Sequence, residues 1–373
     1  MFKKIRSYPL LLIIGLFVIV FSVLDLTTPN RVYSENENKY LATFPKLTFR
    51  SLVDGSFTSK YETYTSDQFL LRDFWISAKS VSEVLLLKTE NNGVVYGEKG
   101  YMFSKFYSYD PTYLKDNLSA LYIFCREAGT TPMVMIVPSA YTPLEEYMLR
   151  GMPAVDESFY IDEIYDFLRP VAKTVDVKKA LSVHSDSYIY YRTDHHWTTY
   201  GAYIGYSQIG AVAGFGVPEY KSYNITTVPD FLGSNYNKCK YIFAKTDTME
   251  FIDFGFPVTV TIDGVAHDSM YNTEQLDKRD KYSAYIWGNN AYTVITSEPS
   301  KNKRDSILVV KDSYANELVP FLTEQYNTVY VIDPRYYGDS FAQLLYENSY
   351  TDILLLFSFE NLATDSSIAK LGF

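Results

Sequence analysis

Asp194, His195 and His196 stand side by side in a chain that has only four histidines, and Ser313 follows a short apolar run far downstream. A carboxylate, an imidazole and a hydroxyl are the parts that turn a serine into a nucleophile. If they met in space, His196 would take the Ser313 proton and Asp194 would hold the ring in the right tautomer, which is the chemistry of acyl transfer or ester cleavage. If residues 194–196 are extended, side chains two apart share a face, so Asp194 and His196 point one way and His195 the other. His195 then reads as a structural histidine or a substrate contact. Asp194 and His196 are also close enough to share a metal ion. No third ligand lies nearby, and His184 and His267 have no characteristic spacing, so a metal-dependent enzyme is the lesser alternative, and no metal or cofactor is expected.

The elements that must position these groups alternate. Helices are expected over Tyr113–Ala128, ending at Gly129, and over Glu157–Leu168, Thr198–Ala213, Tyr314–Tyr326 and Asp339–Glu347. Buried strands are expected over Pro132–Pro138, Ser306–Val310, Val329–Asp333 and Ile353–Phe357. This order predicts an α/β fold with a parallel sheet flanked by helices. Ser313 would sit where a strand turns into a helix. Functional side chains collect at strand ends in such sheets, and a helix N-terminus favours developing negative charge. Asp312 and Ser313 also suit a plain helix cap. Residues 219–297, rich in Tyr, Asp, Asn and Thr, break the alternation and read as a β-rich insertion over the sheet, with a hairpin turn at Asp263-Gly264. Val94–Phe103 reads as a hairpin and Ser51–Lys88 as one or two helices.

Bulk properties narrow the class. With 373 residues, 47% of them hydrophobic and 21% charged, the chain can bury a sizeable core. A net charge of −10 without a long Lys/Arg cluster argues against nucleic-acid binding, which needs a basic footprint. Two cysteines, Cys125 and Cys239, make no disulfide framework.

The N-terminus gives an address. Lys3, Lys4 and Arg6 precede an uncharged apolar run from Ser7 to Leu24, about long enough to cross a bilayer at roughly 18 residues. No small-residue cleavage site ends the run, so an uncleaved signal anchor is expected. The resulting plan is a cytoplasmic tail over 1–6, a transmembrane anchor over 7–26, a juxtamembrane linker and helices over 27–90, and an extracytoplasmic domain over 91–373.

Several motifs carry a family resemblance. Thr193-Asp194-His195-His196-Trp197-Thr198, Lys311-Asp312-Ser313-Tyr314 and Val331-Ile332-Asp333-Pro334-Arg335-Tyr336-Tyr337 together resemble the bacterial DHHW proteins. So do Ser34-Glu35-Asn36-Glu37-Asn38, Asp67-Gln68-Phe69-Leu70-Leu71-Arg72 and the Gly97 to Phe103 stretch. That family is similar to the SGNH-hydrolase-like proteins that O-acetylate alginate outside the inner membrane. The resemblance implies an SGNH-hydrolase-like catalytic domain with Asp194, His196 and Ser313 as a triad. It also implies an oxyanion hole built from the Ser313 N–H, a glycine and an asparagine, for which Gly288, Asn289 and Asn290 are candidates; the alternative is a plain turn. His195, Tyr314 and Arg335 are candidates for substrate contact, and Arg335 equally suits pairing with a structural carboxylate. Lys311 departs from the pattern, since the resembled enzymes carry glycine there. The expected function is membrane-anchored O-acetylation of a cell-surface polysaccharide, with acyl groups supplied by a membrane-bound O-acyltransferase partner. The alternatives are an esterase with the same triad and a non-catalytic binding module.

Overall fold

The computed structural model describes residues 9–34, 39–298 and 303–373. The chain divides into two units: residues up to Lys88 together with Lys240–Ile242, and residues 89–239 together with 243–373.

In the first unit, a helix over Pro9–Thr27 leaves Leu10, Leu11, Ile13 and Ile19 exposed. The anchor is expected over 7–26; its first two residues, the tail before them and the Glu35–Asn38 part of the acidic motif lie outside the described residues. Among the described residues, no helix is long and apolar enough to cross a membrane. A short helix at Phe49–Val53 is followed by two, Ser56–Gln68 and Arg72–Leu85, that fall within the Ser51–Lys88 stretch expected to be helical. The breaks fall at Gly55 and Leu71, both with positive φ. The Asp67-Gln68 pair is structural. Asp67 accepts the Ala42 N–H at 2.9 Å, and the Gln68 amide bonds both the N–H and the C=O of Arg31 at 2.9 Å.

The second unit is built on an eight-stranded sheet. In chain order its strands are β1 (Met133–Val137), β2 (Lys173–Thr174), β3 (Val258–Ile262), β4 (Val265–His267), β5 (Tyr292–Ser297), β6 (Arg304–Lys311), β7 (Tyr326–Ile332) and β8 (Asp352–Ser358). Their spatial order is β4-β3-β5-β7-β6-β8-β1-β2. The five strands from β7 to β2 are parallel, and β5, β3 and β4 extend that edge antiparallel. Runs such as Met133–Val137 and Ile307–Val310 are wholly buried, which is why they read as unbroken apolar stretches rather than alternating ones. Helices α1 (Pro111–Glu127), α2 (Glu157–Leu168) and α3 (Thr199–Ala213) match expectation, with Asp110, Asp156 and Thr198 as their caps.

Two expectations are corrected. The 219–297 segment does not simply lie over the sheet: β3, β4 and β5 all come from it and become one edge. Its Asp263-Gly264 turn has φ of 49° and 79°, and Ile262 pairs directly with Val265, as a two-residue hairpin requires. The remaining pair, Asn224–Phe231 with Asp247–Asp253, forms a separate ribbon. The helix expected over Tyr314–Tyr326 is only a 3₁₀ turn at Ser313–Asn316 and a short helix at Val319–Leu322, after which β7 begins. Pro320 has no N–H to give the Asn316 carbonyl, so no continuous helix can run through it. Ser313 therefore does not head a long helix, and a helix dipole contributes nothing there.

Leu355 sits in β8 opposite Val310 on one side and Val134 on the other, fully buried. Leu355→Ala should destabilise this unit by about 2–5 kcal/mol in urea unfolding; a loss under about 1 kcal/mol would contradict a close-packed sheet core at this point.

Candidate active site

Ser313 lies just past the carboxyl end of β6, and Asp312 fixes that end. One Asp312 oxygen accepts the Tyr314 N–H at 3.0 Å; the other accepts the Ser358 N–H at 2.8 Å, its hydroxyl at 2.7 Å and the Asn361 amide at 2.8 Å. The carboxylate ties the turn after β6 to the end of neighbouring β8. With all these donors on it, Asp312 is structural.

The structure brings Asp194, His196 and Ser313 into one row. Ser313 Oγ is 2.8 Å from His196 Nε2, and His196 Nδ1 is 2.6 Å from Asp194 Oδ1. All three are buried, with Ser313 the most open at 7% exposure. An ionised carboxylate only accepts, so the proton sits on Nδ1 and the Nε2 lone pair faces the Ser313 hydroxyl. Burial pushes the Asp194 carboxyl up, but the His196 imidazole and the N–H groups of His196 and Ser234 outweigh it and hold it far below the usual carboxylate range.

The pairing of Asp194 with His196 does not come from an extended strand. The His196 N–H donates to Asp194 Oδ1 at 2.9 Å, closing a tight turn of the kind Asp makes with the backbone two residues on. The turn also brings the two imidazoles together, with ring centres 3.8 Å apart, so His195 does not point to the opposite side. His195 is one-third exposed, and its Nδ1 lies 2.6 Å from Ser234 Oγ. Burial and the neighbouring imidazole push its pKa down, which keeps it neutral.

Several residues that sequence reasoning missed build this turn. The Ser234 N–H donates to Asp194 Oδ2 at 2.6 Å. Before it, Gly233 packs so closely that a Cβ there would lie 2.3 Å from Asp194 Cβ. Asp247, buried on the separate ribbon, accepts from the Arg192 and Thr193 N–H groups at 3.0 and 2.8 Å and from the Thr193 hydroxyl. The Tyr282 ring stacks flat on His196, 3.8 Å between centres and 4° between planes, and its hydroxyl donates to the Ser313 carbonyl at 2.9 Å. None of these carries a local motif; a lone tyrosine among 36 gives no signal.

The other expected site residues fall out as follows. Tyr314 is buried and donates its hydroxyl to the His195 carbonyl, while its own carbonyl accepts from Trp197 Nε1 at 2.9 Å. It is a brace between the two motifs rather than a surface for substrate. Arg335 forks onto Asp333 at 2.9 and 2.6 Å, the structural pairing. The Gly288 N–H closes a turn onto the Tyr285 carbonyl at 2.9 Å and the Asn290 amide bonds the Trp287 carbonyl at 3.3 Å, so neither is presented to an oxyanion. Asn289 is left, with its amide oxygen held by Lys311 Nζ at 2.8 Å and by the Asn316 amide at 3.1 Å. The loop that carries it is strained: Ile286 and Trp287 both have positive φ, at on the order of 1–3 kcal/mol each. The Ile286 N–H bond to the Met270 carbonyl and the Trp287 Nε1 bond to the Ser269 carbonyl, both 2.9 Å, hold it there. Asp194, His195 and His196 offer ligand atoms within 4.8 Å of one another, but each of these groups already has a protein partner. Cys125 and Cys239 are both buried.

The sheet and the row at its strand ends define an α/β protein with a buried Asp–His–Ser relay. The chain belongs to the DHHW family, whose model matches residues 101–332. A solved DHHW family protein from Eubacterium siraeum is 25% identical, with a TM-score of 0.64 over 75% of this chain and 95% of that one. Bacillus cereus PatB1, solved with a sulfonyl adduct, shares the fold at 19% identity and a TM-score of 0.59, over 74% of this chain and 96% of its own. The O-acetyltransferase domain of Pseudomonas putida AlgJ aligns over 75% of this chain and 98% of its own, at 16% identity and a TM-score of 0.47. No curated protein sequence matches the chain.

Gly233→Ala should push Asp194 off His196. A charge-assisted N–H···O contact this short should place the His196 Nδ1 proton far downfield in proton NMR, and the variant should lose that signal while keeping its circular dichroism. An unchanged signal would remove Gly233 from the site.

Proposed function

We propose that this chain is an O-acyltransferase, in the first instance an O-acetyltransferase, acting on a cell-surface polysaccharide through an acyl-serine. The observation that carries the reading is the unbroken relay from Asp194 Oδ1 through His196 to Ser313 Oγ, with both contacts inside hydrogen-bond reach of about 2.6–3.2 Å. Ser313 Oγ attacks the donor carbonyl as its proton passes to His196 Nε2. The charge that develops on the carbonyl oxygen is received by the Ser313 N–H and the Asn289 amide. The tetrahedral intermediate expels the donor's alcohol or thiol, which takes the proton from His196. An acceptor hydroxyl then gives its proton to His196, attacks the acyl-serine and leaves as the new ester, with the proton returned to Ser313.

The intact relay favours catalysis over a binding module with a decayed site. The apolar segment that begins at Ser7 supports anchoring to the membrane, with the second unit outside the cytoplasm. There an acyl-group donor has to come through the membrane, so the reading includes a membrane-bound O-acyltransferase as partner. Tethering both to one membrane raises their effective concentration.

Ser313→Ala and His196→Ala should each lower turnover of an activated acetyl ester by about 10⁴-fold or more, and a chelator should change nothing. Retained turnover in either variant removes the triad; loss on chelation moves the chemistry to a metal. Alkaline carbonate washing should leave the full chain in the membrane pellet, and release into the supernatant would refute the anchor.

A further inference from the structure

We propose that Lys311 is a positioning residue: it fixes the orientation of the Asn289 amide so that the NH₂ group, not the carbonyl, is presented to the oxyanion at Ser313. The inference deepens the acyl-serine reading and rests on it.

Lys311 closes β6 two residues before Ser313 and is only 1% exposed. Its Nζ lies 2.8 Å from Asn289 Oδ1 and 3.3 Å from Asp333 Oδ2. An ammonium group has three donors and no acceptor, so the atom it meets on Asn289 has to be the oxygen. Asn316, three residues past Ser313 and equally buried, donates to the same oxygen at 3.1 Å. Both donors lie on one end of the Asn289 amide, which turns the NH₂ end away from them. Among the described residues that NH₂ makes no hydrogen bond, and Asn289 is half-buried, open enough to meet a ligand.

A second observation agrees. The Asn316 side-chain carbonyl oxygen is buried with no partner among the described residues. Turning both amides over would give that oxygen a donor, but would set the Asn289 NH₂ against the Lys311 ammonium. The charge on Lys311 therefore dictates both orientations and leaves one acceptor unfilled. This gives a role to the lysine that stands in place of the resembled enzymes' glycine, which has no side chain to hold an amide.

The device depends on charge. A neutral amine has a lone pair and can accept, so both orientations of Asn289 become allowed. The charged groups facing Lys311 are Asp333 and Arg335 just past β7 and Asp312, the next residue along the chain; Asn289 brings no charge. Burial is the main cause that lowers the Lys311 pKa to about 8, with Arg335 adding to it and Asp333 and Asp312 opposing. Arg335 stays forked on Asp333, so that carboxylate keeps its partner when Lys311 is neutral. The donor is thus oriented below about pH 8 and loses its orientation above it.

The test uses the full chain, p-nitrophenyl acetate turnover and labelling of Ser313 by phenylmethylsulfonyl fluoride. At pH 7, Asn289→Ala should lower kcat by about 100-fold or more, the usual effect of one oxyanion donor. Lys311→Met should lower kcat by ~10–100-fold with KM nearly unchanged, and should abolish the fall in kcat that the unsubstituted protein shows above about pH 8. The double variant should be no slower than Asn289→Ala within about 3-fold, because Lys311 acts through Asn289. Lys311→Arg, a donor with no acceptor that stays charged, should recover part of kcat without the alkaline fall, and serves in place of Lys311→Met if that variant fails to fold. Losses that multiply in the double variant, or an alkaline fall that survives without the lysine, overturn the inference while Ser313 labelling leaves the acyl-serine reading intact. Failure of the unsubstituted protein to label at Ser313 overturns both.

Discussion

A buried carboxylate stays ionised only when donors surround it, and Asp194 is surrounded: the His196 ring, the His196 N–H and the Ser234 N–H all aim at it. Much of the site's architecture provides those donors and the space for them. Gly233 has no side chain because one would occupy the Asp194 position. Asp247 gathers the backbone of residues 192 and 193 so that the turn closes on Asp194 and not elsewhere. An ionised Asp194 in turn fixes the His196 tautomer, and only that tautomer gives Ser313 a proton acceptor.

The second half of the site is held by the sheet. Strands β6, β7 and β8 end side by side, and three acidic or basic residues at those ends are satisfied by their neighbours rather than by solvent. Asp312 clamps β6 to β8, Asp333 is shared by Lys311 and Arg335, and Lys311 reaches across to Asn289. These clamps leave Ser313 little freedom except at its hydroxyl. Trp197, Tyr314 and Tyr282 then lock the His196 turn to the Ser313 turn through backbone carbonyls and one stacked ring. A misplacement of about 1 Å between nucleophile and base is enough to cost about 100-fold in rate, which gives such redundancy a physical purpose.

Where sequence reading went astray, a specific competing effect decided the outcome. The period over Tyr314–Tyr326 is helical, but Pro320 removes a donor in its middle, and the chain uses two short turns instead. The Asp263-Gly264 pair reads as a hairpin turn, yet nothing local says which sheet its strands will join; β3 and β4 join through β5. His195 was expected to point away because residues two apart share a face in a strand. The Asp194 side chain bonds the His196 N–H and bends the backbone, so that alternation does not apply. Gly288, Asn289 and Asn290 are equivalent candidates in the sequence, but two of the three are engaged within their own turn.

By itself, the amino-acid sequence determined the parts and their local scaffolding: an Asp, a His and a Ser in motifs near strand ends and turns, and four apolar runs that read as strands of a covered, mostly parallel sheet. It could do so because hydrophobic period, capping residues and proline act over a few residues. Only the tertiary structure decided that Ser313 meets His196 across more than a hundred residues, that Tyr282 and Asp247 support them, and that a buried lysine sets one amide. Those are contacts between distant segments, and their geometry depends on how the sheet brings strand ends together, which no local pattern encodes.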